Sequence, residues 1–317
     1  MILLGILGLV LLLTVVALTG PRVEVDTRIR PVELPDDLES WLSTSESVYP
    51  DLVSGTEKEI IWAHPDKRMT PYSVVYLHGF SATRQETVPL SDNLARHLEA
   101  NLFYTRLTGH GLRSEAMAEI RIKDLLSDAA QAVEIGKRIG EKVIVISVST
   151  GSTLDAWLAR DKRYGDVHCH IMLSPNFAIK DRRADLATRQ WGAQLVRLMV
   201  GKTFRTKKFS EAHARYWTQD YPSSSLAVLA TLVRLVRESP LEEITRPVLM
   251  IYSPLDQVVE ARAIERAFQR FGSEKKEIYR IEQQNETGNH VLAGDILAPE
   301  GTTHIQGLIL DFLSGLE

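Results

Sequence analysis

Three observations predict an α/β fold with a mostly parallel central sheet and helices on both faces. Short apolar runs alternate with longer stretches of helical period from about residue 57 to the end of the 317-residue chain. Polar turn residues close each apolar run at its carboxyl side. The reactive side chains fall at those carboxyl ends, where open parallel sheets carry their chemistry.

The elements follow in order. Residues 1–20, MILLGILGLVLLLTVVALTG, hold no charged side chain and are apolar from Ile2 to Leu18. A helix of that length spans about 30 Å of hydrocarbon, so an N-terminal transmembrane helix is expected, with localisation to the membrane as a single-pass anchor. A cleaved secretory signal fits less well, because the basic n-region is missing and the cleavage pattern near Ala17 is poor. A run apolar on every face also argues against a buried helix of the globular domain. Arg22, Arg28 and Arg30 follow the run, but Glu24 and Asp26 lie among them, which leaves the side of the membrane open. Residues 21–56 are rich in Pro, Asp, Glu and Ser and read as a linker with one short helix.

The strand candidates are EIIWA (59–63), SVVYLHG (73–79), LFYTRL (102–107), KVIVISV (142–148), VHCHIML (167–173), PVLMIYS (247–253) and KEIYRIE (276–282). Helical patterns such as IKDLLSDAAQAVEIGKRI and ARAIERAFQRF lie between them. The interval 177–224 shows no strand, carries Trp191, Phe204, Phe209, Tyr216 and Trp217, and has ten basic against four acidic residues. An insertion with its own aromatics and charge is expected to form a helical cap over the site, within a domain running from 57 to 317.

Composition narrows the function. With 44% hydrophobic and 25% charged residues and a net charge of -4, extensive disorder is excluded and no nucleic-acid partner is indicated. Cys169 is the single cysteine, so neither an internal disulfide nor a cysteine-rich metal site is available. His168 and His170 alternate on a strand without an acidic neighbour in sequence, which makes a poor metal site. GKTFRTKKF (201–209) is basic and reads as an exposed edge of the insertion, and no phosphate-binding glycine loop is present. No cofactor and no metal are expected.

The chemistry resides in a set of strand ends. Ser149 lies in S-V-S-T-G between an apolar strand and a helix, a turn that lifts a serine hydroxyl above the sheet for nucleophilic attack. Ser147 stands where the usual G-x-S-x-G pattern has its first glycine. Asp256, in SPLDQVV after the next-to-last strand, can orient a histidine or simply cap a helix. His290, in QQNETGNHVLAGD after the last strand, completes the order Ser, Asp, His; His304 is the rival but lies at the start of the terminal helix. His78-Gly79-Phe80 ends an early strand, where the amides of Phe80 and of Thr150 can hold an oxyanion. RLTGHG (106–111) is expected to pack beside that segment.

With these residues together, the sequence resembles the α/β-hydrolase fold enzymes, of the carboxylesterase and monoacylglycerol-lipase-like branch, over about residues 57–317. The resemblance implies a Ser–His–Asp mechanism without metal or organic cofactor. It makes the expected function a serine hydrolase of carboxylic esters, with lipid-like acyl esters the favoured substrates. A thioesterase, peptidase or acyltransferase on the same triad is the alternative, as is a non-catalytic membrane-tethered binding module.

Overall fold

The computed structural model describes residues 2–164, 166–282 and 284–316. Its strands are β1 (Glu59–Ile61), β2 (Thr70–Leu77), β3 (Asn101–Tyr104), β4 (Gly140–Val148), β5 (Cys169–Leu173), β6 (Thr203–Arg205), β7 (Asp220–Pro222), β8 (Val248–Tyr252) and β9 (Lys276–Arg280). Each of the seven predicted runs contributes a strand to one sheet of order β1-β3-β2-β4-β5-β8-β9. All neighbours are parallel except β1, which runs antiparallel to β3 at the edge. β6 and β7 form a separate two-stranded sheet inside the interval that was expected to hold no strand. Three residues each, with Phe204 and Tyr221 alone facing inward, are too short to give a period-2 signal.

The helices are α1 (Ile2–Leu18), α2 (Leu38–Ser47), α3 (Leu90–His97), α4 (Ile122–Ile139), α5 (Thr150–Ala159), α6 (Gly192–Val200), α7 (Glu211–Tyr216), α8 (Ser224–Arg237), α9 (Ala261–Arg270) and α10 (Thr302–Ser314). β4 lies at the centre of the sheet, and every residue from Val143 to Val148 is at most 2% exposed. Its alternate side chains feed two cores. Ile144, Ile146 and Val148 pack with α3 and α10, whereas Val143 and Val145 pack with α4, α5, α8 and α9. Burial of each such side chain contributes roughly 1.5–3 kcal/mol. The sheet is thereby sealed on both faces, and only its carboxyl edge can present polar groups.

Among the described residues no helix is long and apolar enough to cross a membrane, and this corrects the expected transmembrane helix. α1 has 17 residues; at 1.5 Å per residue it extends about 26 Å, short of the roughly 30 Å of hydrocarbon. Its last carbonyls are also engaged, Leu18 O by Gln190 Nε2 at 3.0 Å and Val16 O by Trp191 Nε1 at 2.9 Å. The expected single-pass membrane localisation, and a membrane partner through this helix, fall with it. Composition alone had suggested a span, but the helix stops at Leu18. Met1 lies outside the described residues. The segment that follows is laid along the domain: Val23, Ile29, Val32 and Leu34 pack on the core, and Arg30 N–H donates to Ser127 Oγ at 3.1 Å.

Candidate active site

Ser149 occupies the tight turn between β4 and α5. Its φ of 51° and ψ of -114° put a non-glycine residue in a region that costs on the order of 1–3 kcal/mol. The turn is braced on both sides: Ser149 N–H donates to Leu173 O at 3.0 Å, and Ser149 O accepts from Asn176 and Thr153 N–H at 3.1 and 3.2 Å. Gly151 permits the sharp return, since a Cβ there would lie 2.1 Å from Leu77 O. Ser149 is 4% exposed. Thr150 begins α5, so its N–H has no acceptor within the helix and is free to serve an anion.

Asp256 follows β8 and does not cap α9, whose N-cap is Glu260. Its Oδ1 accepts from Val258 and Val259 N–H at 2.7 and 2.9 Å, which fixes the carboxylate, and Oδ2 lies 2.7 Å from His290 Nδ1. Burial alone would depress the His290 pKa, but the Asp256 carboxylate, with Glu86 adding to it, raises it above the ordinary value. Ser174, beside Ser149 across the β4–β5 ladder, donates to His290 O at 2.6 Å and ties the histidine loop to the serine turn. The structure thus pairs His290 with Asp256 and ties their loop, through Ser174, to the strand that follows the Ser149 turn. His304 is exposed on α10 and forms no part of this arrangement.

The oxyanion segment is held one peptide at a time. His78 is fully buried and pushed well below the usual range by burial, with His110 and Arg106 adding to the effect. It therefore stays neutral, accepts Leu107 N–H on Nε2 at 3.1 Å and donates from Nδ1 to Gly79 O at 2.9 Å. That bond pins the Gly79–Phe80 peptide by its carbonyl and leaves the Phe80 N–H on the opposite side. RLTGHG packs alongside, with the His78 and His110 rings 5.0 Å apart. Gly79 N–H donates to Glu86 Oε2 at 2.7 Å, and a Cβ on Gly79 would lie 2.7 Å from Glu86 Oε1 and 3.3 Å from Ser149 Cβ. A side chain there would displace the Glu86 carboxyl.

Sequence reasoning missed Glu86. T-R-Q-E (83–86) matches a helix capping box, which predicts a carboxylate turned back on its own helix. Thr83 does cap the short 84–86 turn, yet Glu86 is 2% exposed and reaches the oxyanion segment instead. Burial pushes its pKa up to about 6 against the opposing effects of Gly79 N–H, His290 and Tyr76.

The 177–224 interval touches the site through three aromatics. Trp217 packs on Ala82 and Val291 with Tyr216 at its flank, and the Tyr221 ring lies 5.6 Å from Phe80. Thr218 N–H donates to Ser81 O at 2.8 Å. The stretch 201–209 is largely exposed, as expected for an edge.

Ser147 and His170 belong to a second, sealed cluster. Ser147 Oγ donates to Asp155 Oδ2 at 3.0 Å, and Asp155 Oδ1 lies 2.7 Å from His170 Nδ1. The acidic partner that His170 lacked in sequence therefore comes from α5. Among the described residues no group of three or more His, Cys, Asp or Glu could hold a metal ion. Burial pushes the Cys169 thiol up, which leaves it unreactive.

Comparison with known proteins agrees with this fold. The Hydrolase_4 family, described as serine aminopeptidase S33, matches residues 70–285. The thermostable monoacylglycerol lipase of Bacillus sp. (strain H-257) is 28% identical over 213 residues, spanning 67% of this chain and 81% of the relative. A structure from work on LipS and LipT, two metagenome-derived lipolytic enzymes, superposes with a TM-score of 0.68 at 19% identity, covering 83% of this chain and 99% of that one. A soluble variant of the monoglyceride lipase from Saccharomyces cerevisiae, in complex with a substrate analogue, gives 0.64 at 12% identity, covering 84% and 98%.

Proposed function

The chain belongs to the Hydrolase_4 family and is an ester hydrolase of the serine esterase and lipase type; from that premise we propose that it cleaves carboxylic esters of lipid-like acyl groups through Ser149, His290 and Asp256. The single observation that carries the reading is the pairing of Asp256 Oδ2 with His290 Nδ1 at 2.7 Å beside a serine held at positive φ. Asp256 keeps the Nδ1 proton in place, so Nε2 is left to take the Ser149 proton as the hydroxyl attacks the ester carbonyl. The N–H groups of Phe80 and Thr150 stabilise the oxyanion. Collapse expels the alcohol with the proton returned by His290, and water activated by the same nitrogen frees the acid.

The interval 177–224 acts as the cap, and Trp217 and Tyr221 close the acyl side. The preference for lipid-like acyl chains is supported by these aromatics and by the monoacylglycerol lipase relatives. The test is hydrolysis of p-nitrophenyl and monoacylglycerol esters from C2 to C16, with aminoacyl anilides as a comparison and fluorophosphonate labelling of the wild type and Ser149→Ala. Labelling confined to wild type and a rate rising with chain length are expected. Cleavage of the anilides with inert esters, or labelling that persists in Ser149→Ala, would overturn the reading.

A further inference from the structure

Two carboxylates, not one, bear on His290. The second, Glu86, belongs to none of the roles assigned above, yet it lies where three parts of the site meet. It accepts Gly79 N–H at 2.7 Å and Tyr76 Oη–H at 3.1 Å, and it is 2% exposed. The histidine loop closes against the same short turn: a Cβ on Gly294 would lie 2.6 Å from Glu86 O, and Asp295 N–H donates to Val88 O at 2.9 Å. The titratable groups around it are few. Tyr76 faces it from β2, backed by the Tyr104 ring of β3 at 5.7 Å with Arg84 over that ring, and His290 faces it from the loop after β9. His290 in turn faces Asp256 and Glu86.

We propose that Glu86 is a positioning residue for acyl transfer at Ser149. Its carboxyl group fixes the His78–Gly79 peptide ahead of the Phe80 oxyanion donor, and its charge supports the His290 imidazolium. The inference rests on the roles given to Ser149 and His290 above. The two effects have different chemistry. Holding the peptide needs only an acceptor oxygen, which an amide also supplies. Supporting the imidazolium needs the negative charge, which an amide lacks. Glu86→Gln therefore separates them, and Glu86→Ala removes both.

The measurement is the pH profile of kcat/KM on a soluble ester for wild type, Glu86→Gln and Glu86→Ala, all as the full chain. His290 must be neutral to act as base, so losing a neighbouring negative charge lowers its pKa and moves the acid limb to lower pH. A move of roughly one unit is expected in both variants. On the alkaline plateau Glu86→Gln loses about threefold, because the imidazolium formed during attack has lost its supporting charge, whereas Glu86→Ala loses about tenfold more with the peptide's hydrogen bond. An acid limb that stays in place in Glu86→Gln overturns the inference even if the plateau falls. A measurement on the unmutated chain covers the case of variants that do not fold. The imidazole proton resonance of His290 should show, besides the titration of its own ring, a second inflection near 6 from Glu86; a resonance with no such second inflection overturns the inference. Ester hydrolysis that survives Ser149→Ala would instead sink the underlying reading, so the two failures are distinct.

Discussion

Two serine–histidine–aspartate sets lie within a few residues of each other on this sheet. Ser149, His290 and Asp256 form one; Ser147, His170 and Asp155 form the other. In each, a carboxylate oxygen lies 2.7 Å from a histidine Nδ1. The first histidine side chain is 12% exposed and the second 2%. The first serine stands in a turn beside two amides without helical or strand partners, while the second lies within β4 and spends its proton on Asp155. His170 Nε2 is buried with no hydrogen-bond partner, so no substrate atom reaches it. The same composition and the same hydrogen bond thus occur in two different settings. On the proposed reading, access at Nε2 and donors for the oxyanion separate the set at Ser149 from a clamp that binds β4, α5 and β5 together.

Ser149→Ala should reduce ester hydrolysis on the order of 10⁵- to 10⁶-fold with the fold intact by circular dichroism; a loss below a hundredfold would mean that another group attacks. Asp256→Asn comes next, at about 10⁴-fold in kcat. Because Oδ1 is already taken by two backbone amides, the replacement must put its oxygen there and turn its NH2 toward His290 Nδ1. The proton then moves to Nε2, and flipping the amide cannot recover the base. An Asp256→Asn enzyme of near wild-type kcat would refute this account.

The sealed set should respond in stability instead of rate. Asp155→Ala breaks a buried pair and is expected to cost about 3–5 kcal/mol in urea unfolding, with kcat per labelled Ser149 within a fewfold of wild type. A smaller effect comes from Glu86, whose carboxyl is raised from 4.5 to about 6 in the folded chain. A raised acid contributes stability that is complete below its unfolded pKa and is lost as pH rises through the folded one. Wild type should therefore lose about 2 kcal/mol relative to Glu86→Gln between pH 4.5 and 7; parallel unfolding curves across that window would assign the carboxyl elsewhere. Smallest is Ser147→Gly, which restores the usual glycine and removes one buried hydrogen bond, for about 1 kcal/mol and little change in kcat/KM. A large drop in rate would make Ser147 part of the machinery after all.

These contrasts also mark what the sequence could disclose. Strands buried on both faces, such as β4, β5 and β8, leave continuous apolar runs that can be read from residues alone, while the partly exposed edge strands β1 and β9 were read from short or alternating ones. Ser149 and Asp256, proposed for the site, stand just past such runs; His290 lies well beyond the end of β9, and chain order rather than a run points to it. Asp155 and His170 meet only when helix α5 folds back on β5, and neither position has a local signature for it. Glu86 was hidden behind a capping pattern whose local preference lost to the unmet N–H of Gly79. The apolar N-terminal run was overread: its bounds, Ile2 to Leu18, are those of the helix, but 17 residues reach only about 26 Å, and nothing in the run disclosed that Gln190 and Trp191 would engage it.

That engagement bears on the order in which the chain assembles. The bonds that hold residues 16–30 to the domain join partners 97, 172 and 175 positions apart. Such distant closures follow the local ones: α4 must stand before Arg30 can find Ser127, and α6 must be seated before Trp191 can reach Val16. Held by a few hydrogen bonds and by partly buried side chains, the arm is expected to exchange its amide protons faster than the buried strands β4, β5 and β8.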